Sequence, residues 1–375
     1  MPDAAPNPQP VPAATDGLNR FPCKQCGAKL EFTPGTWVTA CPYCGCQNEI
    51  GAPRDFKDVE EIDYASTLAA LQEKATTVRA MVMRCDACAA SVTAPPNVTS
   101  ISCPFCGSNI VATAQAATQI KPNAVLPFKT TREDAVARFR AWVRSRWFAP
   151  NKLTTRSMLD ARFTGTYLPA WTYDTATTTA YSGERGDAYY TTETYWVNGK
   201  PQTRTVRRIR WTSVSGVVNV GFDDVLVMAS RSLPAKDLEQ LEPWDLRSCV
   251  VYADDYLAGF RAESYQVGLD QGFEIAKEKM RPRIESAIRA DIGGDEQRIG
   301  STRTRYDRIT FKHLLLPVWL SAYRFNERVY RFMVNARTGE VVGRRPYSAV
   351  KITLFVLMCL AIVGVIVMVA AMMQR

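Results

Sequence analysis

Two copies of one cysteine pattern, 62 residues apart, constrain this chain more than any other feature. Cys23, Cys26, Cys41 and Cys44 recur as Cys85, Cys88, Cys103 and Cys106, and both sets read CxxC, fourteen residues, CPxCG. Two CxxC turns on separate hairpins bring four thiolates to one tetrahedral point, and a glycine after the second cysteine permits the tight knuckle. The repeat therefore predicts two Cys₄ zinc ribbons, at 21–52 and 81–113, each closed around a structural Zn²⁺. A single-iron centre needs a longer spacer, and thioredoxin-like chemistry needs one reactive CxxC rather than four matched ones. Eight of the eleven cysteines fall in these pairs, which suits metal in a reducing compartment and not a disulfide scaffold. Cys46 corresponds to Ser108 in the second copy, so it reads as a spare thiol; Cys249 and Cys359 read as small apolar residues.

The C-terminus carries an uncharged apolar run from Ile352 to Met373. As a helix it would measure about 33 Å, enough to cross the hydrocarbon core of a bilayer. We expect one transmembrane helix over 350–373. Arg344, Arg345 and Lys351 flank its N-terminal side, which by the positive-inside rule places the preceding bulk in the cytoplasm. The expected topology is single-pass and tail-anchored, with the N-terminal bulk in the cytoplasm. Residues 1–20, rich in Pro and Ala, read as a disordered leader and not a signal peptide.

Between these ends the reading is α+β: two zinc ribbons, a linker over 53–80 with a helix from Val59 to Val78, and a β-rich core over 121–348. In the core, Thr130 to Glu133 carries a capping-box signature ahead of a helix with Val136, Phe139, Val143 and Trp147 along one stripe. Phe163 to Val227 reads as strands with a tight turn at Asn198-Gly199. A second helix is expected from Asp270 to Ile292, kinked near Pro282 and stopped by Gly293-Gly294. ARTG at 336–339 reads as a final hairpin turn. TYLPAW at 166–171 echoes LLLPVW at 314–319, which raises a duplicated core as one organisation.

Charge separates the two parts. Residues 1–120 hold eight Lys or Arg against eleven Asp or Glu, while the whole chain is +9, so the basic excess lies in the core. Four thiolates around each zinc add further negative charge to the ribbons. Nucleic-acid binding wants the opposite. The core excess includes Arg204, Arg207, Arg208 and Arg210 in one predicted strand, and Arg303, Arg305 and Arg308, read as a loop. An anionic leaflet is one surface that would attract it.

Catalytic signatures are missing: there is no G-x-S-x-G elbow, H-E-x-x-H, kinase set or phosphate-binding loop. His313, the one histidine, sits in FKHLLLPVW and reads as structural. Asp223-Asp224 and Asp254-Asp255 read as turns bounding strands.

Several segments carry a family resemblance: the duplicated ribbons, KPNAVLPFKTTREDAVARFRAWVRSRWFAPNKL, YLPAWTYD, GERGDAYY, WTSVSG, FDDVLVMAS, LEPWDL, YLAGFRAESYQV, DIGGD, TFKHLLLPVWLSAYRF and the C-terminal anchor. Together they resemble bacterial membrane-anchored double zinc-ribbon proteins, often labelled transcription-factor-B-type zinc ribbon or primosomal and helicase-like. No motor motif supports the helicase label. The resemblance implies membrane maintenance or stress, alongside SPFH/flotillin-like and phage-shock-type proteins, with the eight ribbon cysteines as the positions it transfers. The resulting expectation is a non-enzymatic adaptor whose ribbons project into the cytoplasm and recruit a protein partner. A membrane-tethered nucleic-acid-binding protein and an enzyme with an unrecognised core site are the alternatives; oligomeric state is left open.

Overall fold

The computed structural model describes residues 21–50, 59–72, 78–85, 90–93, 100–103, 105, 109–111, 115–148, 163–198, 200–325, 328–344 and 347–373. Cys88, Cys106, Ser108, Gly199, Arg345 and the expected leader lie outside the described residues. The fold is α+β, built on one large sheet, with an apolar helix at the C-terminal end.

Sequence periodicity suggests several short strands after Phe163, but the chain forms two very long ones. These are β12 (Thr164–Val197) and β13 (Lys200–Met228), paired in antiparallel register from Ala170↔Met228 to Val197↔Lys200. The turn falls where expected, with Asn198 at φ 50° supplying the left-handed residue that a tight hairpin requires. At about 3.3 Å per residue, β12 has a contour of about 110 Å. Its Thr, Tyr and Val content favours this pleated conformation.

The third long strand, β16 (Glu296–Phe325), pairs with β12 from Thr164↔Leu320 to Gly186↔Glu296. Arg303, Arg305 and Arg308 thus lie in a strand and not in a loop, because pairing with β12 continues past the bulge where Arg308 adopts φ 50°. The sheet order is β13-β12-β16-β11-β14, with β11 at Ala124–Val125 and β14 at Val250–Val251. β17 (Arg328–Asn335) pairs with β16, and β18 (Val341–Gly343) with β17; the turn between them places Gly339 at φ 81°.

Two helices cover the sheet. α2 (Arg132–Arg144) starts one residue later than the TTRE signature suggests: Thr131 caps it, its hydroxyl accepting from Asp134 N–H at 3.1 Å, with Asp134 returning the bond to the Thr131 backbone. Ala135, Phe139 and Val143 are buried, whereas Trp147 is exposed because the helix ends at Arg144. Of the segment read as a helix over 59–78, Ile62–Asp63 forms a short strand, β5, followed by α1 (Tyr64–Gln72), which Asp63 caps through the Ser66 N–H; residues 73–77 lie outside the described residues. Beyond α3 (Ala235–Glu239), α4 (Leu269–Ile292) runs through Pro282 and stops at Gly293 and Gly294, both with positive φ. Its Phe273, Ala276, Met280, Ile284, Ile288 and Ile292 pack on Trp171, Tyr173, Tyr181, Val218 and Phe222 of β12 and β13.

The LPxW echo has a structural counterpart. Leu168 and Leu316, the same position of each motif, face each other across β12 and β16. Trp171 donates to the Val267 carbonyl and Trp319 to the Thr130 carbonyl, each 2.9 Å long and each at the residue two before a helix. Pro169 O accepts from Ala229 N–H, as Pro317 O does from Ala336 N–H. Ala229 O accepts from Gln266 and Val267, and Ala336 O from Lys129 and Thr130. Helix–strand–hairpin therefore occurs twice, and the helix entry of one half is pinned by the hairpin of the other.

Candidate functional site

The first cysteine set closes as its spacing requires. Strands β1 (Phe21–Pro22), β2 (Lys29–Phe32), β3 (Val38–Ala40) and β4 (Gln47–Glu49) form a four-stranded sheet, and Gly27 and Gly45 turn the two knuckles at φ 70°. The Cys23, Cys26, Cys41 and Cys44 sulfurs all lie within 4.8 Å of one another, with Cys23–Cys44 at 3.7 Å and Cys26–Cys41 at 3.5 Å. A tetrahedral ion with metal–sulfur bonds of about 2.3 Å sets its ligands about 3.8 Å apart. The cluster can therefore hold a metal ion.

Its electrostatics favour thiolate on the strand side. Backbone N–H groups of Cys26 and Gln25 pull the Cys23 thiol down to about 6, and that of Cys44 lowers Cys41. For Cys44 the Cys46 backbone pulls the same way, but the Cys26, Cys41 and Cys23 sulfurs together with desolvation outweigh it and the thiol is pushed up to about 12. Cys46 lies outside the four-sulfur group and its thiol points to the Gln47 carbonyl.

Of the second set, Cys85 and Cys103 are buried beside Met83, Val92 and Phe105, next to the β6 (Val78–Arg84) and β7 (Ser91–Thr93) pair and the β8 (Ser100–Ser102) and β9 (Asn109–Val111) hairpin. β10 (Gln115–Gln119) adds a strand on the far edge of β6, which has no counterpart in the first ribbon among the described residues.

Neither ribbon projects freely. Phe32 packs edge-on against Tyr256 and Phe260 at 5.7 and 6.2 Å, its N–H donates to Ala258 O, and Gly35 N–H donates to Phe128 O. Met83, Cys85, Val92 and Phe105 join the same core cluster as Leu168, Leu316 and Leu320, and Val92 bridges Glu263. The apolar inner faces of both ribbons are buried against the core. The first ribbon leaves Tyr43 at its outer knuckle, 80% exposed.

The other large exposed surface is an arm. Past Gly186 the β16 pairing ends, and β12 and β13 continue as a two-stranded ribbon to Asn198. One face is a self-contained network: Glu193 binds Arg204 and Arg208, while Arg204 and Arg210 lie over the Tyr195 and Tyr189 rings. The register puts Tyr190, Thr192, Thr194 and Trp196 on the opposite face, where Tyr190 is 68% and Trp196 70% exposed.

The residues weighed for catalysis are placed in the framework. His313 is buried; its Nδ1 lies 3.0 Å from Ile120 O, its ring lies tilted against Trp171 with centroids 4.4 Å apart, and burial lowers its pKa to about 4. Asp254 begins a 3₁₀ turn and accepts from Tyr252 OH. Asp223-Asp224 is not a strand-bounding turn but a bulge inside β13, with Asp224 at φ 52°.

That bulge belongs to a charge cluster the sequence reading missed. Lys312, in mid-β16, places its ammonium 3.0 Å from Asp174, 3.1 Å from Asp224 and 3.1 Å from Glu61. Burial alone would lower its pKa, but Asp174 and Asp224 outweigh that and hold it above the usual lysine range. The signal was a lysine at the head of the largely apolar stretch FKHLLLPVWL of β16, which must find carboxylates or deprotonate. Asp174, Asp223 and Asp224 approach within 4.8 Å, but Lys312 already occupies their centre of charge.

A helix long and apolar enough to span a membrane closes the chain: α5 (Ala349–Met373), with Ala349–Ala370 as its candidate span.

No family model matches the chain, and no solved structure matches it. The chain is similar to the uncharacterized protein YdjG of Bacillus subtilis (strain 168), 26% identical over 242 residues. The match covers 62% of this chain and 66% of that relative, just under two thirds of its length.

Proposed function

We propose that this protein is a non-enzymatic adaptor of the bacterial inner membrane. The C-terminal helix anchors it, the bulk faces the cytoplasm, and two Cys₄ sites each hold a structural Zn²⁺. The exposed arm supports the recruiting role above all else. Trp, Tyr and Arg are the residues that dominate protein–protein hot spots, and here they crowd a ribbon with no covering element among the described residues. Two-stranded hairpins are marginal alone, so a partner that covers the Tyr190–Trp196 face would order and desolvate it. The Tyr43 knuckle offers a second, smaller contact. Consistent with the resemblance noted above, the partner class is an SPFH/flotillin-like protein in membrane maintenance or stress.

Nucleic acid is the second reading, since aromatic and Arg side chains also stack bases. The ion pairs of Arg204 and Arg208 to Glu193 and of Arg207 to Glu296 favour protein over phosphate. Gentle solubilisation, purification of the full chain and identification of what co-purifies tests the proposal. A defined partner should be retained by the wild type and lost from the double variant Tyr190→Ser, Trp196→Ser. Recovery of both forms without a partner would overturn recruitment, and steeply salt-dependent binding of an RNA or DNA oligonucleotide would favour the second reading.

A further inference from the structure

A cavity of about 380 Å³ lies beside the root of the membrane helix, lined by Trp142 and Arg146 at the end of α2, Gln240 past α3, Glu340, and Val341–Gly343 of β18. This is the size range of small-ligand clefts. The Arg146 guanidinium sits over the Trp142 ring at 5.2 Å. Among the described residues neither Arg146 nor Glu340 makes an ion pair. A cation and an anion that share a cavity without neutralising each other match a ligand carrying both charges.

The depth of the cavity says where such a ligand would come from. Ser348 N–H donates to Phe148 O at 2.8 Å, and the Phe148 ring packs edge-on against Phe355 at 5.4 Å, inside the candidate span. Arg146 is two residues from Phe148, hence within about 7 Å of it. The polar layer of a bilayer is about 5–8 Å thick on each side, so the cavity opens at headgroup level. Trp147 and Tyr347, 73% and 64% exposed, occupy the position of interfacial aromatic anchors.

We propose that this cavity binds the phosphoethanolamine headgroup of a membrane lipid, with Arg146 on the phosphate and Glu340 on the primary ammonium. The inference rests on the membrane-anchor part of the reading above. Choline cannot donate a hydrogen bond to Glu340, and phosphatidylglycerol, with the same phosphate but no ammonium, leaves the Glu340 carboxylate without a counter-charge, so the amine decides selectivity. Bound lipid would fix the core against the leaflet at α2 and β18, independently of the arm.

The full-length protein in nonionic detergent, titrated with phosphatidylethanolamine, phosphatidylcholine or phosphatidylglycerol and read by native mass spectrometry, tests this. Phosphatidylethanolamine adducts should predominate. Arg146→Gln should weaken them about fivefold, the effect of one basic residue at a lipid surface. Glu340→Gln, which keeps the side-chain shape, should turn the preference toward phosphatidylglycerol, and Arg283→Gln on α4 should change nothing. Equal retention of the three lipids, or variants indistinguishable from wild type, would overturn the site. Competition by free phosphoethanolamine as effective as the lipid would overturn the lipid source. Failure to insert into phosphatidylcholine nanodiscs would remove the anchor and this site together, whereas insertion without headgroup preference would remove the site alone.

Discussion

The two halves of the core share one hydrogen-bond circuit and use it differently. In the first, α2, β12 and β13, the hairpin grows to Asn198 and becomes the exposed arm. In the second, α4, β16 and β17, the hairpin is short and leads through β18 to the apolar C-terminal helix. Equivalent positions have diverged where they pack. His313 lies opposite Trp171, while its counterpart Gly165 lies opposite Trp319, and a Cβ at Gly165 would collide with the Phe260 ring. One half thus carries a buried imidazole where the other makes room for a phenyl ring. The shared circuit is scaffold, and the halves differ in what grows out of it.

The largest asymmetry to test is Lys312, whose counterpart in the first half is Thr164 and which pairs across the halves with Asp174 and Asp224. Lys312→Met leaves Asp174 and Asp224 without their counter-ion and should destabilise the core by about 3–5 kcal/mol, read as a shift in denaturation midpoint. Adding Asp174→Asn should recover part of the loss. A neutral single variant would show that the cluster is solvated.

Next comes His313. Its folded pKa of about 4 lies below the unfolded value of about 6.5, so the unfolded chain takes up the proton first. Stability is therefore full above pH 6.5 and falls as the pH drops toward 4, by about 3 kcal/mol in all. Melting temperatures across that range should slope for wild type and flatten for His313→Asn. An unchanged slope would assign the acid sensitivity elsewhere.

The shared circuit itself predicts matched losses. Trp171→Phe and Trp319→Phe each orphan a buried carbonyl at a helix entry and should cost about 1–3 kcal/mol apiece. Values differing by more than that range would break the equivalence of the halves. Smallest of all, replacing residues 188–209 with a short turn should move stability by no more than about 0.5 kcal/mol, as for other surface changes, while abolishing partner retention.

Much of this architecture was legible beforehand because its causes are local. Cysteine spacing placed the four sulfurs of the first site, Asn198 the hairpin turn, Gly293-Gly294 the end of α4, and an uncharged run the C-terminal helix. Errors arose where the competing signal was also local: Thr131 took the cap from Thr130, and Asp63 capped a helix that starts at Tyr64 and not at Val59.

The rest required tertiary structure. Nothing near Glu61, Asp174 or Asp224 announces Lys312, which meets them only because β16 lies beside β12 and a bulge turns Asp224 inward. The burial of both ribbon faces against the loop around Tyr256 and Glu263 likewise depends on which surfaces meet. Caps, turns, thiolate spacing and membrane hydrophobicity act over a few residues or one continuous run, so they can be read from the chain. Sheet register acts between residues more than a hundred positions apart, and it alone decided which charges pair, which faces are covered and that an arm remains exposed.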